Sequence, residues 1–310
     1  MSKIAFIFPG QGAQYVGMAN EFYEAIPECH EVFDIAEQVL DFNIKHLCFH
    51  ENELIHKTEY TQAIMLTACL SILRAVEKSG IKADMTAGLS LGEYAALVAN
   101  SMLAEADAIR LVRKRGIYMT TEVPAGKGGM AAVLGLDNQT VEQVCEEISL
   151  QEKSIVEPAN YNCPGQIVIS GESKALKVAC DVLSSKAKRV LPLTVSGPFH
   201  SSMLKGAGSK LALELEKVSL QRMRVPYASN VTGSIQREEN QVKTLLVEQV
   251  SSSVRWQQCV EEMIANGVDT FIEIGPGRTL SGFIKKIDRT KKVLNIEKLA
   301  DLEKLEELKK

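Results

Sequence analysis

A serine set between two glycines is the first chemical signal in this chain. Gly88-Leu89-Ser90-Leu91-Gly92 fits the G-x-S-x-G pattern of a nucleophile elbow. In that pattern the serine sits on a tight strand-to-helix turn. Small flanking residues admit the strained backbone, and amides at the helix start offer donors to a developing oxyanion. Such a serine needs a base. His30, His46, His50 and His56 all precede Ser90, and only His200 follows it, in Gly197-Pro198-Phe199-His200-Ser201. Serine before histidine is the chain order of elbow-type sites. An acid to orient His200 is not evident. Glu172 and Asp181 fall in an intervening unit, so an amide or a backbone carbonyl is left for that task.

Two further features bear on chemistry. Gly10-Gln11-Gly12 follows the first strand but fails both phosphate-loop templates, G-x-G-x-x-G and G-x-x-x-x-G-K-[ST]. It reads instead as a loop turning N–H groups toward the carboxyl end of a sheet, where ligands of open α/β sheets bind. Arg115 follows Leu111 and Val112 at helical spacing and precedes Met119, and Arg113 lies between Ile109 and Ile117. Periodicity does not choose between the two arginines. A partly buried arginine takes an anionic partner, and an internal ion pair and a substrate carboxylate fit this pattern equally.

The elements that must position these groups alternate. Strand signals cover 4–8, 84–87, 225–230, 270–274 and 293–296; helical periodicity covers 16–40, 59–78, 93–98, 104–120, 202–218, 242–250 and 257–266. A charged Glu/Lys helix with a solvated face is expected at the tail. Between them the grammar changes after the turn-rich stretch 121–127. A strand (129–136), a helix (138–148, capped by Asn138), two strands (154–162 and 166–170), a helix (173–186) and a strand (189–195) give the order β-α-β-β-α-β of a ferredoxin-like unit. The expected fold is α/β: a hydrolase-like parallel-sheet core, residues 1–123 plus 196–310, with a small domain inserted at 124–195.

Composition excludes several classes. Lys plus Arg total 35 against 39 Asp plus Glu, a net charge of −4 that argues against nucleic acid as the main partner. The apolar run at 4–8 is too short for a signal peptide, and no stretch reaches the roughly 18 apolar residues of a membrane helix. Seven widely spaced cysteines with no CxxC read as reduced thiols in a cytoplasmic protein. His46, His50 and His56 near Cys48 match no common metal spacing, so no metal site is expected.

Together the motifs resemble the malonyl-CoA:acyl carrier protein transacylases, the acyltransferase family of fatty-acid and polyketide synthesis. The resemblance runs to about residue 287. It rests on Phe8-Pro9-Gly10-Gln11-Gly12-Ala13-Gln14, Gly88-Leu89-Ser90-Leu91-Gly92-Glu93 and Arg113-Lys114-Arg115-Gly116. It rests further on the run from Asn160 to Gln166, on Gly197-Pro198-Phe199-His200-Ser201, and on Glu273-Ile274-Gly275-Pro276-Gly277. Position 89 is often His in the family and is Leu here; position 63 is often Pro and is Ala here.

The resemblance implies that Ser90 is acylated, with His200 as its base and the amides of Leu91 and Gln11 as the oxyanion hole. It implies that Arg115 holds the malonyl carboxylate. Gln249 takes the place of the amide residue that orients the histidine, through side chain or backbone. Gln62 and Asn160 line the cleft, and Phe199 resembles the residue of malonyl-selective members. The implied activity is ping-pong malonyl transfer from malonyl-CoA to the phosphopantetheine thiol of an acyl carrier protein. No resident cofactor and no metal are needed, and a monomer is expected. Lys186, Lys188, Arg189, Lys285 and Lys286 are candidates for a basic rim that meets the acidic carrier protein. The alternatives are a serine hydrolase that strips acyl groups from carrier proteins and a catalytically silent docking module.

Overall fold

The computed structural model describes residues 2–309. Its strands are β1 (Lys3–Phe8), β2 (Met85–Gly88), β3 (Gly128–Leu134), β4 (Val156–Cys163), β5 (Gln166–Glu172), β6 (Arg189–Pro192), β7 (Tyr227–Ala228), β8 (Ile235–Gln236), β9 (Val268–Ile274) and β10 (Lys292–Ile296). β10-β9-β1-β2-β7-β8 form one sheet. Every pairing in it is parallel except β7 with β8. The central strands are buried on both faces, which is why Ala5, Phe6, Ile7 and Phe8 form an unbroken apolar run. Phe8 stands in register with Gly88, and Ile7 with both Ala87 and Glu273. The carboxyl ends of β1, β2 and β9 are therefore level, and the loops leaving them emerge side by side.

Helix Thr58–Lys78 is buried along most of its length and is the spine of the main core. Helix Glu105–Thr121 buries Ala108, Ile109, Leu111, Val112 and Met119, with Arg113, Arg115 and Gly116. Gly116 is the crossing point of the two helices: a Cβ there would lie 2.9 Å from the Thr58 carbonyl oxygen. This close approach brings Arg115 and Gln62 within contact.

The second sheet has the order β4-β5-β3-β6, antiparallel throughout. With helices Asn138–Glu152 and Ser173–Ser184 it follows the expected β-α-β-β-α-β order and packs its own core around Val133, Val141, Ile148, Ile169 and Leu183. It is tied to the larger sheet's side by backbone bonds from Tyr161 N to Val254 O and from Val254 N to Ala159 O, both 2.8 Å.

Several elements depart from expectation. The helix expected over 16–40 is two helices, Asn20–Ala25 and Pro27–Val39, because Ile26 is held extended ahead of Pro27. The cap of helix Asn138–Glu152 is Asp137, whose carboxylate accepts from Thr140 N; Asn138 is the first helical residue. The stretch expected as one helix from 202 opens with a 3₁₀ turn, Ser202–Leu204, before helix Lys205–Glu216. The tail is a 3₁₀ segment, Leu299–Leu308, that buries Leu305 and packs Leu299, Leu302 and Leu308 on the core. Those leucines, spaced at three, give the tail an anchored apolar side that a wholly solvated helix would lack. All seven cysteines are free, and burial pushes their thiols up, Cys29 to about 11. No helix among the described residues is long and apolar enough to cross a membrane.

Candidate active site

Ser90 sits where β2 turns into helix Gly92–Ala99. Its φ of 53° lies in the left-handed region, strained for a residue with a side chain. The flanking glycines make the turn possible. A Cβ on Gly88 would lie 1.9 Å from the Gly92 carbonyl carbon, and one on Gly92 would lie 2.2 Å from the Phe8 carbonyl oxygen. The turn is also pinned from a distance. Asn230, at the end of β7, accepts from Ser90 N at 2.6 Å and donates to Gly88 O at 2.8 Å.

His200 lies on the loop after β6, also with a left-handed φ, 59°. Its Nε2 is 2.7 Å from Ser90 Oγ. Its Nδ1 is 2.8 Å from the backbone oxygen of Gln249. A carbonyl only accepts, so Nδ1 carries the proton and Nε2 is the free acceptor for the serine hydroxyl. Burial, together with the positive charge of Arg115, holds the imidazole neutral, its pKa down to about 3. Among the described residues no carboxylate stands behind His200; the backbone of Gln249 does the orienting.

Arg115 is 1 % exposed and reaches Ser90. Its Nη2 donates to Ser90 Oγ and to Gln249 Oε1, both at 3.0 Å, and its Nη1 donates to Gln62 Oε1 at 2.8 Å. No carboxylate touches the guanidinium among the described residues, and its Nε has no partner. Arg113 has the opposite fate. It forms a bidentate pair with the Asp41 carboxylate (2.8 and 3.0 Å) and lies between the rings of Phe42 and Tyr60. One helix thus answers both readings of the arginines: Arg113 is the internal ion pair, and Arg115 is free to meet an anion.

Gln11, Gln62, Ser90, Leu91, Arg115, Asn160, Phe199 and His200 line one cavity of about 280 Å³, walled further by Met119, Met130 and Leu193. Both sheets contribute to it. Gln249 lies behind this wall and is fully buried. Neither Leu91 N nor Gln11 N makes a hydrogen bond among the described residues. The Gln11 side chain instead reaches Thr58 Oγ1 at 2.9 Å. A larger cleft, about 640 Å³, opens ahead of β2 and β7 beside Arg74, Glu77 and Arg224 and holds none of these groups.

Two residues of the constellation escaped the chain reading. Glu93 is fully buried, and its Oε2 accepts from Gln249 Nε2 at 2.6 Å and from Asn230 N at 3.3 Å. Asn230 is the pin described above. Glu93 stood inside the elbow motif, and a carboxylate in an otherwise apolar helix, Gly92–Ala99, was an available signal. Asn230 gave none, because its side-chain partners are more than a hundred positions away. Glu273, in the last of the quoted motifs, is a helix cap rather than a site residue. Its carboxylate accepts from Leu280 N and from Ser281 N and Oγ.

An elbow serine, a neutral histidine and a parallel sheet with an antiparallel second unit define an acyl-transfer site, and the chain belongs to the acyl transferase domain family, which matches residues 5–303. Among its relatives, the malonyl CoA-acyl carrier protein transacylase of Bacillus subtilis (strain 168) is 45 % identical over 298 residues, covering 96 % of this chain and 94 % of the relative. The solved transacylase of the same name from Clostridium perfringens superposes with a TM-score of 0.95 at 45 % identity, covering 99 % of this chain and 98 % of that one. A malonyl-transacylase solved in complex with a type II PKS acyl-carrier protein gives 0.95 at 37 % identity, covering 99 % and 100 %.

Proposed function

We propose that this chain moves a malonyl group from malonyl-CoA to the phosphopantetheine thiol of an acyl carrier protein, through a malonyl ester on Ser90. The observation that carries the reading is Arg115, buried, without a carboxylate partner, and 3.0 Å from Ser90 Oγ. An acyl group on that oxygen has its distal carboxylate within reach of a guanidinium fork shaped for carboxylates.

The steps follow from the geometry. His200 Nε2 takes the hydroxyl proton as Oγ attacks the thioester carbonyl. The unused N–H groups of Leu91 and Gln11 receive the oxyanion, each donor worth roughly 10²–10³ in rate. The imidazolium returns its proton to the CoA sulfur as the C–S bond breaks. The carrier thiol then enters, gives its proton to His200, and reverses the sequence. Gln62 steadies Arg115, while Asn160 and Phe199 shape the cavity around the acyl chain. One thioester replaces another, so neither metal nor resident cofactor is required.

The names of the relatives support malonyl-CoA and an acyl carrier protein as substrates. The exposed Lys186, Lys188, Arg189, Lys285 and Lys286 supply the basic rim for the acidic carrier. The free cysteines accord with a cytoplasmic protein, and a monomer suffices because one chain holds every group named. We divide it at 124–195 for the small domain and 1–123 plus 196–310 for the catalytic one.

Intact mass after mixing with malonyl-CoA alone tests the reading. A malonyl adduct is expected on the unaltered protein and absent from Ser90→Ala. Added carrier protein should then collect the malonyl group. Release of free malonate instead would mark a hydrolase, and no adduct at all would overturn the enzyme reading.

A further inference from the structure

Arg115 is a fully buried cation that no anion touches among the described residues. The nearest buried carboxylate is one amide away. Gln249 accepts from Arg115 with Oε1 and donates to Glu93 with Nε2, so a cation, an amide and a carboxylate stand in line. The same carboxylate accepts from the backbone of Asn230, the residue that pins Ser90, and Gln249 is the residue whose backbone holds His200. The other oxygen of Glu93, Oε1, is buried and makes no close hydrogen bond among the described residues, with the Ser229 hydroxyl facing the carboxylate.

We propose that Glu93 is a positioning residue and the resting counter-charge of Arg115, and that it takes up a proton when the carboxylate of a dicarboxylic acyl donor replaces it in that role. The inference rests on the malonyl-transfer reading above. A second anion brought to one buried cation disfavours two negative charges, so the protonated form of Glu93 is favoured in the loaded site. Its Oε1 can carry that proton. Burial already pushes Glu93 up to about 7, and the groups facing it do not compete. Tyr94 beside it, Tyr227 on β7 and Cys259 on helix Trp256–Ala265 are all raised, and His200 is held low. Arg115 keeps its charge. Glu93 is thus the one group of the cluster that changes charge near neutrality.

The test is the ratio of kcat/KM for malonyl-CoA over acetyl-CoA as a function of pH, with proton uptake on malonyl loading measured in buffers of different ionisation enthalpy. Acetyl-CoA carries no distal carboxylate and is the internal control. The ratio should fall roughly three- to tenfold between about pH 6 and about pH 8.5, the scale of one unit of coupling between two carboxylates. In Glu93→Gln, which keeps the acceptor for Gln249 but not the charge, the ratio should be flat. A merely structural role would lower both donors together and leave the slope intact. Proton uptake near neutral pH is read on the unaltered protein, so an unstable variant does not hide the answer. A malonyl adduct that forms with no proton uptake and a flat ratio would overturn this inference and leave the transfer reading standing. Failure to form the adduct would sink both.

Discussion

Arg115 and His200 converge on one atom: the guanidinium Nη2 and the imidazole Nε2 both point at Ser90 Oγ, from 3.0 and 2.7 Å. In the proposed reaction, substrate selection and nucleophile activation therefore meet at one oxygen. The hydroxyl proton goes to His200, because Arg115 can only donate.

Arg115→Ala should separate donors. Removing one partner of a charged pair in a closed site costs about 2–5 kcal/mol, and each 1.4 kcal/mol is about tenfold. Malonyl transfer should fall roughly 30-fold or more. Acetyl transfer should fall less, through the lost donor to Oγ alone. Arg115→Lys should rescue partly, since a point charge lacks the fork. Steady-state kcat/KM on both donors decides it. Equal losses would make Arg115 a structural residue.

Gln249→Ala should act through its side chain only. The bond that orients His200 comes from the backbone and survives the substitution. What is lost is the acceptor for Arg115 and the donor to Glu93 and to the Ser90 carbonyl, so malonyl transfer should drop by about tenfold or more, the scale of a hydrogen bond to a charged group. Acetyl transfer should be milder. A collapse of both donors would show that the side chain is needed to hold the Ser90 turn.

Removing the base has two readouts. His200→Ala should slow acylation by on the order of 10²–10⁴. His200→Gln should also change acid sensitivity. The imidazole, ordinarily at 6.5, is held down to about 3 in the folded chain, so the unfolded chain binds this proton more tightly. Stability from this group is complete above about 6.5 and drains as pH falls toward about 3. Melting curves across that window should therefore fall less steeply in the glutamine variant. Parallel curves would deny that His200 is buried neutral.

Gly88→Ala should destroy the elbow rather than tune it. The added Cβ meets backbone at 1.9 Å, with no flexible side chain to yield. A loss above about 4 kcal/mol, or no soluble protein, is expected. Gly282→Ala, on an open helical position with nothing within 4 Å, is the control and should be benign.

Much of this site was legible along the chain, for identifiable reasons. Ser90 was marked by steric necessity, since only small residues tolerate the contacts that Gly88 and Gly92 make. His200 was found because no other histidine follows the serine. The order of the small unit was readable because its strands and helices are short, amphipathic and separated by turn formers. The choice between Arg113 and Arg115 was not readable. Both lie on buried faces of one helix, and the decision belongs to Asp41 and Gln62, 72 and 53 positions away. The tail was misjudged because a three-residue leucine spacing among charges suits a 3₁₀ segment as well as an α-helix.

The distances along the chain between the residues that hold Ser90 have a consequence for synthesis. Its base is 110 positions downstream, its backbone pin 140, and the amide that donates to its carbonyl 159. A ribosome that has released the elbow has made a serine with neither acceptor nor clamp. Until residue 249 has been made, the chain lacks the full set of partners that hold this serine. The site is thus closed by contacts spanning more than a hundred residues, and a half-made chain holds only part of it.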